Sequence, residues 1–148
     1  MAEVRGCNIP ADLYYWPEKH VWARPDEDGS VTVGVTDVAQ SMAQNVISAM
    51  PKAAGRPAQR GRSLGTVESS KWVGPVTCPV NGQIIEANPL MGSDPGVINR
   101  DPYGAGWFVR IQVDDWAADS AELVTGADGV AAYEEFLAAE GISCGDAA

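Results

Sequence analysis

The stretch Val67-Glu68-Ser69-Ser70-Lys71-Trp72-Val73, followed by Cys78-Pro79-Val80-Asn81-Gly82-Gln83-Ile84-Ile85-Glu86, decides the fold. Leu64 to Glu68 and Val76 to Ala87 read as strands on either side of Lys71. Gly74 and Pro75 are expected to let the chain turn back between them. A lysine held between two β-rich segments carries its ammonium into water. Acylation of that amine would remove the charge and leave an attachment point for an apolar arm. Taken alone, such a residue is a solvated turn lysine; its surroundings point further.

Working outward, Val21-Trp22-Ala23-Arg24 and Ser30-Val31-Thr32-Val33-Gly34-Val35 alternate as a hairpin joined by Pro25-Asp26-Glu27-Asp28-Gly29. Thr36 is placed to cap a helix from Asp37 to about Ser48, with Val38, Met42, Val46 and Ala49 on one buried face and Pro51 as its stop. Lys52 to Arg62, rich in Ala, Gly, Arg and Pro, reads as a loop, and Asn88 to Pro102 as an irregular crossover. Trp107 to Val113 is a strand with Trp107, Val109, Ile111 and Val113 on one face. Asp115 is placed to cap a short helix to Leu123, and Asp128 to start a last helix burying Val130, Tyr133, Phe136 and Leu137. The expectation is a mainly β chain with short peripheral helices, a flattened antiparallel β-barrel or sandwich. It forms one domain over residues 1–148, with an acidic helical segment at about 115–140.

Composition narrows the function. No apolar run approaches the ~18–20 residues of a membrane span, and the N-terminus lacks the apolar stretch of a signal peptide. A soluble, cytoplasmic protein is expected. With 20 acidic and 10 basic residues and a net charge of -10, nucleic acid is not an expected partner. From Gln112 onward there are nine acidic residues and no basic one, while Lys52, Arg56, Arg60 and Arg62 cluster in one loop. Both features read as solvated surface, or as charge that orients the molecule on partner enzymes. Cys7, Cys78 and Cys144 are an odd count without Cys-x-x-Cys, expected to stay reduced rather than build a disulfide framework. The single histidine, His20, supports neither a metal site nor a Ser-His-Asp triad and is read as a structural residue packed beside Trp22. No paired acids and no phosphate-binding loop suggest an enzyme.

The ordered set of motifs resembles the glycine-cleavage H-protein family of lipoyl carriers. The matching pieces are Ile9-Pro10-Ala11-Asp12-Leu13, His20-Val21-Trp22, Val33-Gly34-Val35-Thr36-Asp37-Val38-Ala39-Gln40, Val67 to Lys71 and Pro79 to Leu90. Ile98-Asn99-Arg100-Asp101-Pro102-Tyr103-Gly104-Ala105-Gly106-Trp107 and Ala132-Tyr133-Glu134-Glu135-Phe136-Leu137 complete it, so the likeness spans residues 9 to 137. Biotin carriers share the hairpin idea but flank the lysine with methionines, which Ser70 and Trp72 do not match.

The resemblance implies lipoate in amide linkage on Lys71, no catalysis by the chain itself, and a lipoylating enzyme as partner. It also implies client enzymes: a glycine decarboxylase, an aminomethyltransferase and dihydrolipoyl dehydrogenase. The chain departs from the family at two carboxylates expected to hold a cationic aminomethyl group. Val21 stands in the His-Glu-Trp motif, and Pro75 stands where an aspartate follows the lipoyl lysine. Glu18 is a substitute only if the N-terminal loop bends back. The departures make the chain look like the lipoate-binding proteins of bacterial sulfur oxidation, whose client is a heterodisulfide-reductase-like complex and whose cargo is sulfur. That sulfur client is the preferred expectation, with glycine cleavage as the alternative. A barrel with Lys71 left bare, acting as an unlipoylated binding module, is the reading from a different class. Trp72 is either part of an apolar platform for the arm or a packing residue of the barrel.

Overall fold

The computed structural model describes residues 2–144 of the 148. The chain opens with β1 (Glu3–Val4), β2 (Cys7–Asn8) and β3 (Tyr14–Trp16), then a 3-10 turn at Pro17–Lys19. The hairpin of β4 (Val21–Pro25) and β5 (Ser30–Val35) forms as expected, pairing Val21 with Val35 and Ala23 with Val33. Next come α1 (Asp37–Ala43), β6 (Val46–Pro51), β7 (Pro57–Ala58), β8 (Ser63–Ser69), β9 (Val73–Thr77) and β10 (Gly82–Ala87). The remainder comprises α2 (Leu90–Ser93), α3 (Val97–Arg100), β11 (Val109–Val113), α4 (Trp116–Ser120), β12 (Val124–Thr125) and α5 (Gly126–Glu140).

A seven-stranded sheet runs in the order β12-β3-β4-β5-β11-β10-β7, and a three-stranded sheet in the order β6-β8-β9, with every pairing antiparallel. The two sheets pack as a flattened sandwich around Val21, Val33, Leu64, Val67, Val76, Ile84, Ile98, Phe108 and Ile111. A second core lies under α5, where Ile9, Leu13, Tyr15, Trp22, Val38, Tyr133 and Leu137 are buried together. Successive residues of a strand point to opposite faces. In β4 Val21 and Ala23 therefore enter the first core and Trp22 the second, and all three are inaccessible to solvent. The Trp22 indole N–H donates to both Val35 O (3.0 Å) and Pro102 O (3.1 Å), so the apolar ring is buried with its donor satisfied.

Several elements differ from expectation. Thr36 caps α1, its hydroxyl accepting from Ala39 N–H at 3.3 Å, but the helix ends at Ala43. Gln44, at φ 62°, breaks it, and residues 46–51 form β6 rather than more helix. Val46 and Ala49 are buried, as expected, but as strand residues, while Met42 is 43% exposed. Gly74 and Pro75 do not turn the chain; they lie in β9 opposite Val67 and Thr66. The loop at 52–62 contains β7, the crossover at 88–102 contains α2 and α3, and residues 78–81 separate β9 from β10. Asp115 does cap α4, accepting from Ala118 N–H at 3.2 Å, and α5 starts two residues before Asp128. Among the described residues no helix is long and apolar enough to cross a membrane.

The cysteine expectation is corrected. Cys7 and Cys144 are bonded as a disulfide across 137 residues, with Cα atoms 4.9 Å apart, and Cys78 remains a free, buried thiol. Spacing along the chain could not show this, because the pair joins segments from the two ends that meet only in the fold.

Candidate functional site

Lys71 stands exposed at the tip of the hairpin joining β8 to β9. Ser69 shapes that tip. Its backbone N–H donates to Trp72 O at 2.8 Å, and its hydroxyl oxygen accepts from the N–H groups of Lys71 and Trp72, each at 3.1 Å. A serine hydroxyl bonded to the two following amides supplies locally what a longer loop would leave to water. Ser70 N–H donates to Asn45 O at 3.0 Å, which ties the tip to the entry of β6. Backbone and short side chains therefore hold the turn, and the lysine side chain takes no part in it.

Beside the tip lies a cavity of about 80 Å³. Val21, Val35, Ala43, Val46, Val67, Val76 and Ile98 form its apolar interior, and Lys19, His20, Gln40, Met42, Trp72 and Pro75 stand around them. Trp72 reaches the cavity because residue 74 is glycine. A Cβ at Gly74 would sit 2.3 Å from the Trp72 ring, so the indole lies across that backbone. Trp72 thus belongs to the wall of the cavity, and at 40% exposure it is not a packed barrel residue.

The structure brings the two departing positions together. Val21 and Pro75 both line this cavity, and no lining residue among those described is an aspartate or glutamate. Glu18 is exposed and outside the lining, although its charge is felt by His20. His20, at φ 56°, has its Nδ1 2.7 Å from the Tyr133 hydroxyl, which lies 2.8 Å from Thr36 Oγ1. The partner of His20 is therefore Tyr133 rather than Trp22. Burial pushes the imidazole down to about 4 against a smaller upward pull from Glu18, so the ring is neutral at pH 7. The polar side chains at the cavity are then Lys19, the neutral His20 imidazole, the Gln40 amide and the Trp72 indole.

Cys78 is held inside the fold as a free thiol. Its Sγ donates to Val80 O at 2.9 Å, and burial pushes the thiol up to about 11, which disfavours the reactive thiolate. Of the basic loop, Arg60 is committed to packing, its guanidinium 4.1 Å from the centre of the Trp16 ring.

Residues that local sequence reading missed hold the site from behind. Asn99 accepts from Val46 N–H at 2.9 Å and donates to Gln44 O at 2.6 Å, fixing the break between α1 and β6. The Tyr103 hydroxyl accepts from Asp37 N–H at 2.9 Å and donates to Asn8 O at 2.6 Å. Both belong to the Asn-Arg-Asp-Pro-Tyr-Gly run, whose polar residues in an otherwise irregular crossover were the available signal.

Comparison with known proteins agrees with this geometry. A crystal structure of a glycine cleavage system H protein from Mycobacterium marinum superposes with a TM-score of 0.73 at 33% identity, covering 90% of this chain and 100% of that one. The architecture is that of the lipoyl carriers, a flattened β-sandwich with few short helices. Residues 13–137 match the family model described as glycine cleavage H-protein. Glycine cleavage system H protein 2 of Aquifex aeolicus is 40% identical over 144 residues, 97% of this chain and 89% of that protein. A probable glycine cleavage system H protein 2 of Sulfurisphaera tokodaii is 39% identical over 146 residues, 97% and 98% of the two chains. The chain belongs to the glycine cleavage H-protein family, whose members carry lipoate covalently on a lysine.

Proposed function

We propose that Lys71 is the lipoyl attachment residue and that the chain acts as a non-catalytic carrier between partner enzymes. The observation that supports this most directly is the hairpin: an exposed lysine on a tip held by bonds in which its side chain takes no part. The residues present fit an apolar arm, because the cavity beside the tip is walled by Val21, Val46, Val67, Trp72 and Val76. When bound, lipoate supplies a dithiolane whose two sulfurs accept and release a group as they are reduced and reoxidised.

The protein's own part is mechanical and electrostatic. Ser69 fixes the direction in which Lys71 leaves the turn. Trp72 and the valines give the arm somewhere to rest, each buried methylene contributing roughly 0.8 kcal/mol. That is enough to hold an arm loosely without trapping it. The lysine side chain supplies reach, and its modification enzyme and clients meet it in solvent.

The names of the relatives support glycine cleavage clients: a decarboxylase, an aminomethyltransferase and dihydrolipoyl dehydrogenase. The sulfur-oxidation client preferred on sequence finds no such support among them. One observation keeps it as a second reading, namely a cavity lined without carboxylates, where a cationic amine has no counter-charge.

Peptide-resolved mass spectrometry of the protein from its native host tests the attachment; one lipoyl amide on the Lys71 peptide is expected, and a bare lysine there would mean an unlipoylated binding module. Lys71→Arg should keep the fold and abolish carrier activity, and retained activity would end the swinging-arm reading. Loading with glycine plus decarboxylase, or with a sulfur donor, then separates the two clients by the mass gained.

A further inference from the structure

The Cys7–Cys144 disulfide is embedded in a set of contacts that ties one end of the chain to the other. Cys144 N–H donates to Arg5 O at 2.9 Å, and Arg5 Nε–H donates to Ile142 O at 2.7 Å. Gly6, at φ 81°, lies so close that a Cβ there would be 2.3 Å from Cys144 O. Ile142 N–H in turn donates to Leu137 O in α5. The covalent bond therefore fastens the exit of α5 to the β1–β2 hairpin. Cys7 is wholly buried and Cys144 is 8% exposed.

α5 is also part of the cavity's support. Its Tyr133 stacks against His20 with ring centroids 6.0 Å apart, and its Phe136 meets the same imidazole edge-on at 5.8 Å. His20 lines the cavity beside Trp72. A helix of 15 residues has little stability of its own in water. What holds this one is the burial of Tyr133 and Leu137, plus a bond that closes nearly the whole chain into a loop.

We infer that Cys7 and Cys144 form a redox latch: as a disulfide they seat α5 so that Tyr133 and Phe136 close the His20 wall of the cavity, and as two thiols they release α5 and open that wall. Reduction takes two electrons and two protons from a dithiol, which leaves as its own disulfide; reoxidation is the reverse exchange with an oxidised disulfide. Cys144 is the more exposed residue of the pair, so the incoming thiolate is expected to approach from its side. The latch is a property of the fold and holds whether or not Lys71 is acylated.

The test uses the full chain with and without excess of a small dithiol. Alkylation under denaturing conditions should label one cysteine without reductant and three with it. His20 is the only histidine, so its ring protons report without ambiguity on its contacts with Tyr133 and Phe136, beside the charged side chains of Glu18 and Lys19. In the disulfide form it should titrate near about 4. In the dithiol form the midpoint should rise by at least about one unit, with amide exchange in α5 about tenfold faster. The variant carrying Cys7→Ser and Cys144→Ser should behave as the dithiol form with or without reductant. Three labelled cysteines without reductant, or an unchanged His20 midpoint and α5 exchange on reduction, would overturn the latch. The reduced natural chain decides between these outcomes even if the variant fails to fold.

Discussion

At the scale of single residues, Ser69 matters more than its size suggests. Its hydroxyl oxygen serves two amides in the lysine tip, so Ser69→Ala leaves both without that partner. A loss of about 1 kcal/mol in stability is expected, together with slower acylation of Lys71 because the tip no longer has one shape. Thermal unfolding and a timed mass assay with a lipoylating enzyme would show both; unchanged acylation would mean that the turn needs no presetting. His20 sets a pH dependence. In the unfolded chain its imidazole titrates at the ordinary 6.5, whereas in the fold it is held down at about 4. Below 6.5 the unfolded state binds a proton that the native state refuses, so stability falls as pH drops from 6.5 to about 4 and this contribution then levels off. Denaturant midpoints across that window should show the slope, and His20→Asn, which tolerates the positive φ, should flatten it.

At the scale of elements, the β4–β5 hairpin was legible because short-range turn chemistry and alternation decide it, whereas around Lys71 only the presence of flanking strands was, since Val76 to Ala87 divides between β9 and β10 in different sheets. The α1–β6 junction was not, and the reason is specific. A register shift between Val46 and Ser48 lets two inward residues stand three apart, so Val46 and Ala49 mimic the spacing of a helical stripe. Gly74 and Pro75 misled in another way. The turn was already closed by Ser69, leaving glycine to make room for the Trp72 indole. What settles the junction is Asn99, from a distant crossover. Asn99→Ala removes an acceptor from Val46 N–H and a donor from Gln44 O, and should destabilise the fold by about 2 kcal/mol. Faster amide exchange at Val46 should accompany it. A change confined to α3, with Val46 still protected, would show that β6 holds its own register.

At the scale of the whole molecule, the Lys71 motif could be located in the sequence, but the joining of the termini could not. Lys71 and the departing Val21 and Pro75 could be placed by order along the chain, but the meeting of Val21 and Pro75 in one cavity beside the Lys71 tip is a product of the sandwich. The bond between Cys7 and Cys144 has no local signature at all. Pro75 has a consequence beyond the cavity. β9 lies at the margin of its three-stranded sheet, and Val73, 66% exposed, leaves that margin apolar. An unguarded strand of this kind is a template on which a second molecule adds its own strand. Proline removes an amide donor from the row, which weakens that template. Pro75→Val should restore the row, and light scattering at rising concentration should then detect more self-association than in the natural chain. The residue that leaves the cavity without a carboxylate thereby also guards the open edge of the sheet.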